Sequence, residues 1–207
     1  MASFYRKRLE DWLKTIDVKA DKVLDIGGSA NPIEGRTRSW KVNQCEIMDN
    51  NGESKFHAEG DWAIPDIVFD LNLFHKSGTD LRMWLNDWYG FHKFDTVFCL
   101  EVFEYIWNPV QAIKNISRVC KSGGKAYISF PAIYPVHNPK EIDYLRYTKA
   151  GIEKLLEEAR FSKWNITPRR ASLGRDALGA FYSLEKMHPV KGDSVIFDIG
   201  YMVEAVK

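Results

Sequence analysis

The chain has 207 residues, 45% hydrophobic, 28% charged and 14% aromatic, with a formal net charge of +1. This is enough for one domain with a sizeable core, in the composition range of an ordinary soluble globule. The near-zero charge gives no polybasic surface, so strong nonspecific nucleic-acid binding is not implied, and the lone arginine doublet, Arg169-Arg170, reads as a solvated face.

Phe4, Leu9, Trp12, Leu13 and Ile16 recur at helical spacing and predict an amphipathic helix over Ser3 to Ile16, within an N-terminal segment 1–20. No signal-peptide stretch precedes it and no apolar run is bilayer-length. Lys22 to Ile26 reads as the first strand, Gln44 to Met48 as the second and Ile67 to Phe69 as the third, with Asn50 to Asp66 a polar loop. Thr79 to Trp88 reads as a helix. Phe94 to Leu100 is a near-continuous apolar run, as in a strand covered on both faces. Asn108 caps a helix with Pro109 in its first turn, and Gly123-Gly124 is expected to end it. Lys125 to Phe130 is the next strand, followed by a proline-punctuated loop to Tyr147. Thr148 caps a helix with the apolar stripe Ile152, Leu155, Leu156 and Ala159. Lys163 to Thr167 and Tyr201 to Val206 are the last strands. The alternation predicts one α/β domain spanning 1–207 around a doubly wound, mainly parallel sheet.

The three cysteines, Cys45, Cys99 and Cys120, form no C-x-x-C pair and read as buried thiols of a reduced, cytoplasmic protein. The run Val23 to Pro32 ends a strand in Asp25 and turns through Gly27 and Gly28. Asp49 closes the second strand. Glycines that let the backbone approach a ligand, with an acid that takes two ribose hydroxyls, describe a nucleotide site on neighbouring strands.

Four segments, in order, resemble the class I methyltransferases that use S-adenosylmethionine (SAM), in the type 11-like branch. They are Val23 to Pro32, Asp49, the FDTVFCLEVFEY run ending at Tyr105, which is similar to "FDxVxxxxVLEH", and Arg118 to Pro131, which is similar to "RVLKPGGxxxxSxP". Asp143 to Thr148 resembles the "DYxRxT" tail. The resemblance implies a Rossmann-like sheet with an antiparallel last strand and helices on both faces. It also implies SAM as cofactor, S-adenosylhomocysteine as product, and a small-molecule or glycan-like methyl acceptor. Two departures stand out: the glycine pattern reads Asp25-x-Gly27-x-Ser29-x-Asn31, and Tyr105 stands where the family often has His.

On this resemblance, Asp25, Gly27, Gly28 and Ser29 meet the amino-acid end of SAM; the alternative for Asp25 is a strand-end acid held by backbone amides. Asp49 takes the ribose, with Asn50 assisting or making a turn. Asp70 meets the adenine amino group or caps a turn, and Leu71 lies beside the adenine. Leu100 and Glu101, at the end of the fourth strand, face the methionine portion or the acceptor. Glu104 reads as a structural or capping carboxylate. If the acceptor is a hydroxyl, His137, Tyr105 or Glu101 is the candidate base. The residues leave the acceptor atom open among O, N, C and S. Segments 131–147 and 168–197 are expected to form acceptor-side loops. The scattered histidines lack metal-ligand spacing, so no metal is expected. A noncatalytic SAM-binding or partner-binding module and a nucleic-acid methyltransferase are the competing readings. A nicotinamide dehydrogenase lacks its G-x-G-x-x-G fingerprint here.

Overall fold

The computed structural model describes residues 4–50, 63–72, 94–133, 136, 140–172 and 196–207. Seven strands, β1 (Asp17–Ile26), β2 (Ser39–Asp49), β3 (Ile67–Val68), β4 (Phe94–Cys99), β5 (Cys120–Pro131), β6 (Lys163–Ser172) and β7 (Ile196–Val206), form one sheet in the order β3-β2-β1-β4-β5-β7-β6. The pairs from β3 to β5 are parallel, and β7 runs antiparallel to both β5 and β6. The described helices are α1 (Phe4–Leu13), α2 (Pro109–Val119) and α3 (Lys149–Glu158). The helix expected over Thr79 to Trp88 lies outside the described residues.

The sheet is covered on both faces, which explains the unbroken apolar character of β4. On one face Val97 and Cys99 pack with Ile113, Ile116 and Val119 of α2 and with Ile152, Leu155 and Leu156 of α3. On the other face Phe98 packs with Leu9 and Leu13 of α1, and its ring stacks on Tyr127 at 4.9 Å. Both expected caps form: the Asn108 side chain accepts from the Gln111 amide and the Thr148 hydroxyl accepts from the Gly151 amide.

Several expected boundaries move. β1 and β2 start earlier than Lys22 and Gln44, because Asp17 to Ala20 pair in parallel register with Ser39 to Val42; Val18 points inward while its polar neighbours face water. Gly123-Gly124 does not end α2. The helix stops at Val119, and Cys120, in an extended conformation, pairs with Phe94 and starts β5 at once. The glycines lie inside β5, where the Gly123 amide donates to the Lys207 carbonyl. β6 and β7 also claim 168–172 and 196–197 from the expected acceptor-side loop; residues 173–195 lie outside the described set.

Candidate functional site at the carboxyl ends of the parallel strands

β1 delivers the chain into a tight turn. The Gly27 amide donates to the Met48 carbonyl of β2 (2.7 Å), and Gly27 has φ +76°, a region L-side chains avoid. Protein fills the space beside both glycines: an added Cβ would meet Val102 Cγ2 at 2.4 Å from Gly27, and Asp25 Oδ2 at 2.2 Å from Gly28. The glycine pair is thus required by packing of the turn itself, where the sequence suggested room for a ligand.

Asp25 is 3% exposed, and its Oδ2 accepts from the Ile33 amide at 2.7 Å, so its carboxylate closes the loop it introduces. Burial, aided by the nearby Asp49 charge, raises its pKa to about 6 against the pull of the Ile33 amide and Arg36. Arg36 braces the same loop from outside by donating to the Asn31 carbonyl and pairing with Glu10 of α1 at 2.7 Å.

Asp49 joins the tips of the two strands. Its Oδ2 accepts from the Ser29 amide (3.3 Å) and its Oδ1 from the Asn50 amide (2.9 Å). Each carboxylate oxygen has two acceptor positions, so both keep capacity for a hydroxyl. Ser29 is 6% exposed and its Oγ has no hydrogen-bond partner among the described residues, an orphaned buried hydroxyl where the two strand tips meet. Asn50 is exposed beside it.

Beyond β3, Asp70 Oδ1 accepts from the Asn72 amide (2.8 Å), so it makes a turn, and Leu71 packs into the core. Asn72 was not singled out in the sequence. Its amide group donates to the Tyr105 carbonyl (3.2 Å), and its oxygen accepts from the Trp107 amide (2.8 Å), tying the loop after β3 to the segment after β4.

At the end of β4 the Leu100 side chain enters the core, while Glu101 takes φ +56°, an uncommon backbone state for a residue with a Cβ. It is held there because its amide donates to Ser129 Oγ of β5 (2.7 Å), which in turn donates to Glu101 Oε1 (2.8 Å). Arg169 Nη2 donates to the same Oε1 at 2.5 Å. Burial raises the Glu101 pKa, but Arg169 and Ser129 outweigh it and hold the carboxyl below its ordinary range.

Arg169 corrects the reading of the arginine doublet as a solvated face. Its side chain is 3% exposed, whereas that of Arg170 is 63% exposed and lies 3.8 Å from Asp198. Neighbouring residues on a strand point to opposite faces, so a doublet there sends one guanidinium inward. That signal was available once β6 was extended past Thr167. Arg169 sits opposite Gly200 of β7, where an added Cβ would lie 3.5 Å from its Cδ and 2.8 Å from the Phe130 carbonyl oxygen. The bare backbone at Gly200 lets the arginine cross β7 toward β4.

Phe103–Tyr105 forms a single 3-10 turn after Glu101. Glu104 is 6% exposed, its Oε2 has no hydrogen-bond partner among the described residues, and burial, then the Glu101 charge, raises its pKa to about 7. The loop before α3 docks on this turn. The Tyr144 amide donates to the Glu104 carbonyl (2.8 Å), and the Tyr147 hydroxyl donates to the Phe103 carbonyl (2.9 Å). Arg146 grips Asp143 with two parallel bonds, which accounts for two positions of the "DYxRxT"-like run. Tyr105 is half-buried at the end of the turn. His137 lies outside the described residues, as do the other four histidines. Among the described residues no group of three or more His, Cys, Asp or Glu side chains is arranged to hold a metal ion. No described helix is long and apolar enough to cross a membrane.

The structure therefore brings Asp25, Gly27, Gly28, Ser29, Asp49 and Asn50 together at the β1 and β2 tips. Asp70 and Leu71 follow β3, and Glu101 and Tyr105 follow β4. Residues 66–128 match the family model described as a methyltransferase domain. No curated protein matches the chain. Among solved structures, a candidate methyltransferase from Bacillus halodurans C-125 is 14% identical, with 99% of each chain covered and a TM-score of 0.55. The YcgJ protein from Bacillus subtilis is 12% identical over 98% of each chain, with a TM-score of 0.54. A SAM-dependent methyltransferase from Archaeoglobus fulgidus is 14% identical, covering 97% of this chain and 90% of its own, with a TM-score of 0.52. At such identities the likeness is one of fold. The strand order, the turn after β1 and the matched central segment together give this chain the class I methyltransferase fold with a methyltransferase-domain segment at its centre.

Proposed function

We propose that the chain is a SAM-dependent methyltransferase acting on a small-molecule or glycan-like acceptor. The observation that carries this reading is the meeting of the β1 and β2 tips, where Asp49 accepts the Ser29 amide and retains acceptor capacity beside the orphaned Ser29 hydroxyl. Those residues fit a ribose: Asp49 would accept its hydroxyls, and Ser29 Oγ would supply a hydrogen bond. Asp70 and Leu71 would flank the adenine, and the Gly27 to Ser29 backbone would meet the amino-acid end. Asp25 would act mainly by keeping that loop closed through Ile33. Asn50 would extend the ribose rim.

When bound, SAM supplies a methyl group made electrophilic by its sulfonium. The protein's share is alignment of the acceptor with that methyl carbon and exclusion of water. A hydroxyl acceptor also has to lose a proton. Glu101, held ionised by Arg169, is a weak base and suits binding of a hydrogen-bond donor, which leaves Tyr105 and His137 as the candidates for proton removal. A neutral amine needs neither.

Calorimetric titration with SAM tests the reading. Binding is expected, and Asp49→Ala is expected to weaken it by about a hundredfold, the worth of charge-assisted bonds to two hydroxyls. No binding by folded protein would sink the proposal, and an unchanged affinity in the variant would remove the ribose assignment. Release of S-adenosylhomocysteine with a low-molecular-mass cell extract separates catalysis from simple binding.

A further inference from the structure

Glu104 takes no part in the reading above, yet it is a buried acid with an orphaned carboxylate oxygen. Two carboxylates, Glu101 and Glu104, lie three residues apart at the end of β4; the buried Arg169 pairs with Glu101 and reaches Glu104 only through its charge. Arg169 spends its described bond on Glu101 Oε1, and its own Nε has no partner among the described residues. Glu104 Oε2 is likewise orphaned, in a residue 6% exposed. Burying an ionised carboxylate without a partner is far more costly than burying a neutral acid. Among the described residues the buried interior of the cluster is thus one positive charge short, since Arg6 of α1 acts on Glu101 from an exposed position, and two of its buried polar atoms are unspent.

Among the described residues, the groups facing Glu104 do not fill the deficit. They are its own backbone amide, Glu101 on the same segment, Arg169 from β6, Asp143 from the loop before α3, Cys99 at the end of β4 and Tyr147. Asp143 adds negative charge and already holds Arg146. Burial keeps the Cys99 thiol and the Tyr147 phenol protonated, with pKa values raised.

We propose that in the free protein the missing charge is a proton on Glu104, and that a sulfonium ligand arriving over the β4 tip replaces it, the proton leaving to solvent. The inference rests on the SAM reading of the β1 and β2 tips, which puts the ribose at β2 and so directs the charged end toward β1 and β4. Charge balances: one cation enters the neighbourhood as one leaves. Binding of SAM is then coupled to deprotonation, and binding of S-adenosylhomocysteine, which lacks the sulfonium charge, is coupled less.

The test is the ratio of the two dissociation constants, measured by calorimetry from pH 5.5 to 8 on the intact chain and on Glu104→Gln. In the wild type the preference for SAM over S-adenosylhomocysteine should grow with pH, approaching about tenfold per unit on the acid side of the transition. In Glu104→Gln, which copies the protonated form, the ratio should lose that dependence. Buffers of different ionisation enthalpy should report proton release near pH 7 for SAM with the wild type only. A ratio independent of pH, or one equally dependent in the variant, would overturn the inference while leaving the cofactor reading intact. Failure of both ligands to bind the wild type would overturn both. If Glu104→Gln does not fold, proton release by the wild type that is equal for the two ligands overturns the inference on its own.

Discussion

The two halves of the sheet satisfy their carboxylates by different means. At the carboxyl-end tips of β1, β2 and β3, three acids are answered by nearby backbone amides: Asp25 by Ile33, Asp49 by Ser29 and Asn50, Asp70 by Asn72. Beyond β4, Glu101 is answered by a hydroxyl from β5 and a guanidinium from β6, the latter 68 residues away in sequence. Amide-held acids preorganise a turn and leave oxygen lone pairs for a ligand. Side-chain-held acids depend on the assembled sheet and fix charge in place. The first arrangement suits a site that grips one constant molecule. The second suits a site whose charge has to be set against whatever is brought to it.

The strongest way to break this comparison is Arg169→Met. It strands the Glu101 carboxylate beside Glu104 and should destabilise the fold by about 3 kcal/mol, kept below the upper range for buried pairs because Glu101 is partly in contact with water. Urea unfolding reads the loss, and Arg169→Met combined with Glu101→Gln should recover most of it. A single variant as stable as the wild type would mean that the pair fixes no charge.

Asn72→Ala probes the seam between the halves. It removes the bonds to Tyr105 and Trp107 and should cost about 2 kcal/mol in the same assay. It should also weaken SAM binding, because the loop carrying Asp70 and Leu71 loses its anchor; an unchanged affinity would show that the two loops act independently. Thr148→Ala serves as the reference. It deletes one helix cap at the start of α3, should cost about 1 kcal/mol, and should leave ligand affinity unchanged.

The same contrast explains what could be read from the sequence. Asp25, the glycine pair and Asp49 stand in a strand-turn pattern whose partners follow from the turn itself, and the caps at Asn108 and Thr148 are equally local. Arg169 was misread because its partner belongs to another strand, and β7 between them has to be bare at Gly200. The glycines of β5 misled in the opposite sense. A Gly-Gly pair after a helical stripe is a stop signal, but pairing of Cys120 with Phe94 ended the helix first. The polar first halves of β1 and β2 carry little apolar pattern because they pair with each other beyond the reach of β4.

Lying between β5 and β6, β7 has a consequence for how the molecule is made. β5 and β6 have no ladder of their own; each is hydrogen-bonded to β7, the last of the strands to be synthesised. Until Ile196–Val206 emerges from the ribosome, one edge of β5 and all of β6 are open to wrong partners. Assembly should therefore finish late, with the arginine seated only as the final strand slots home.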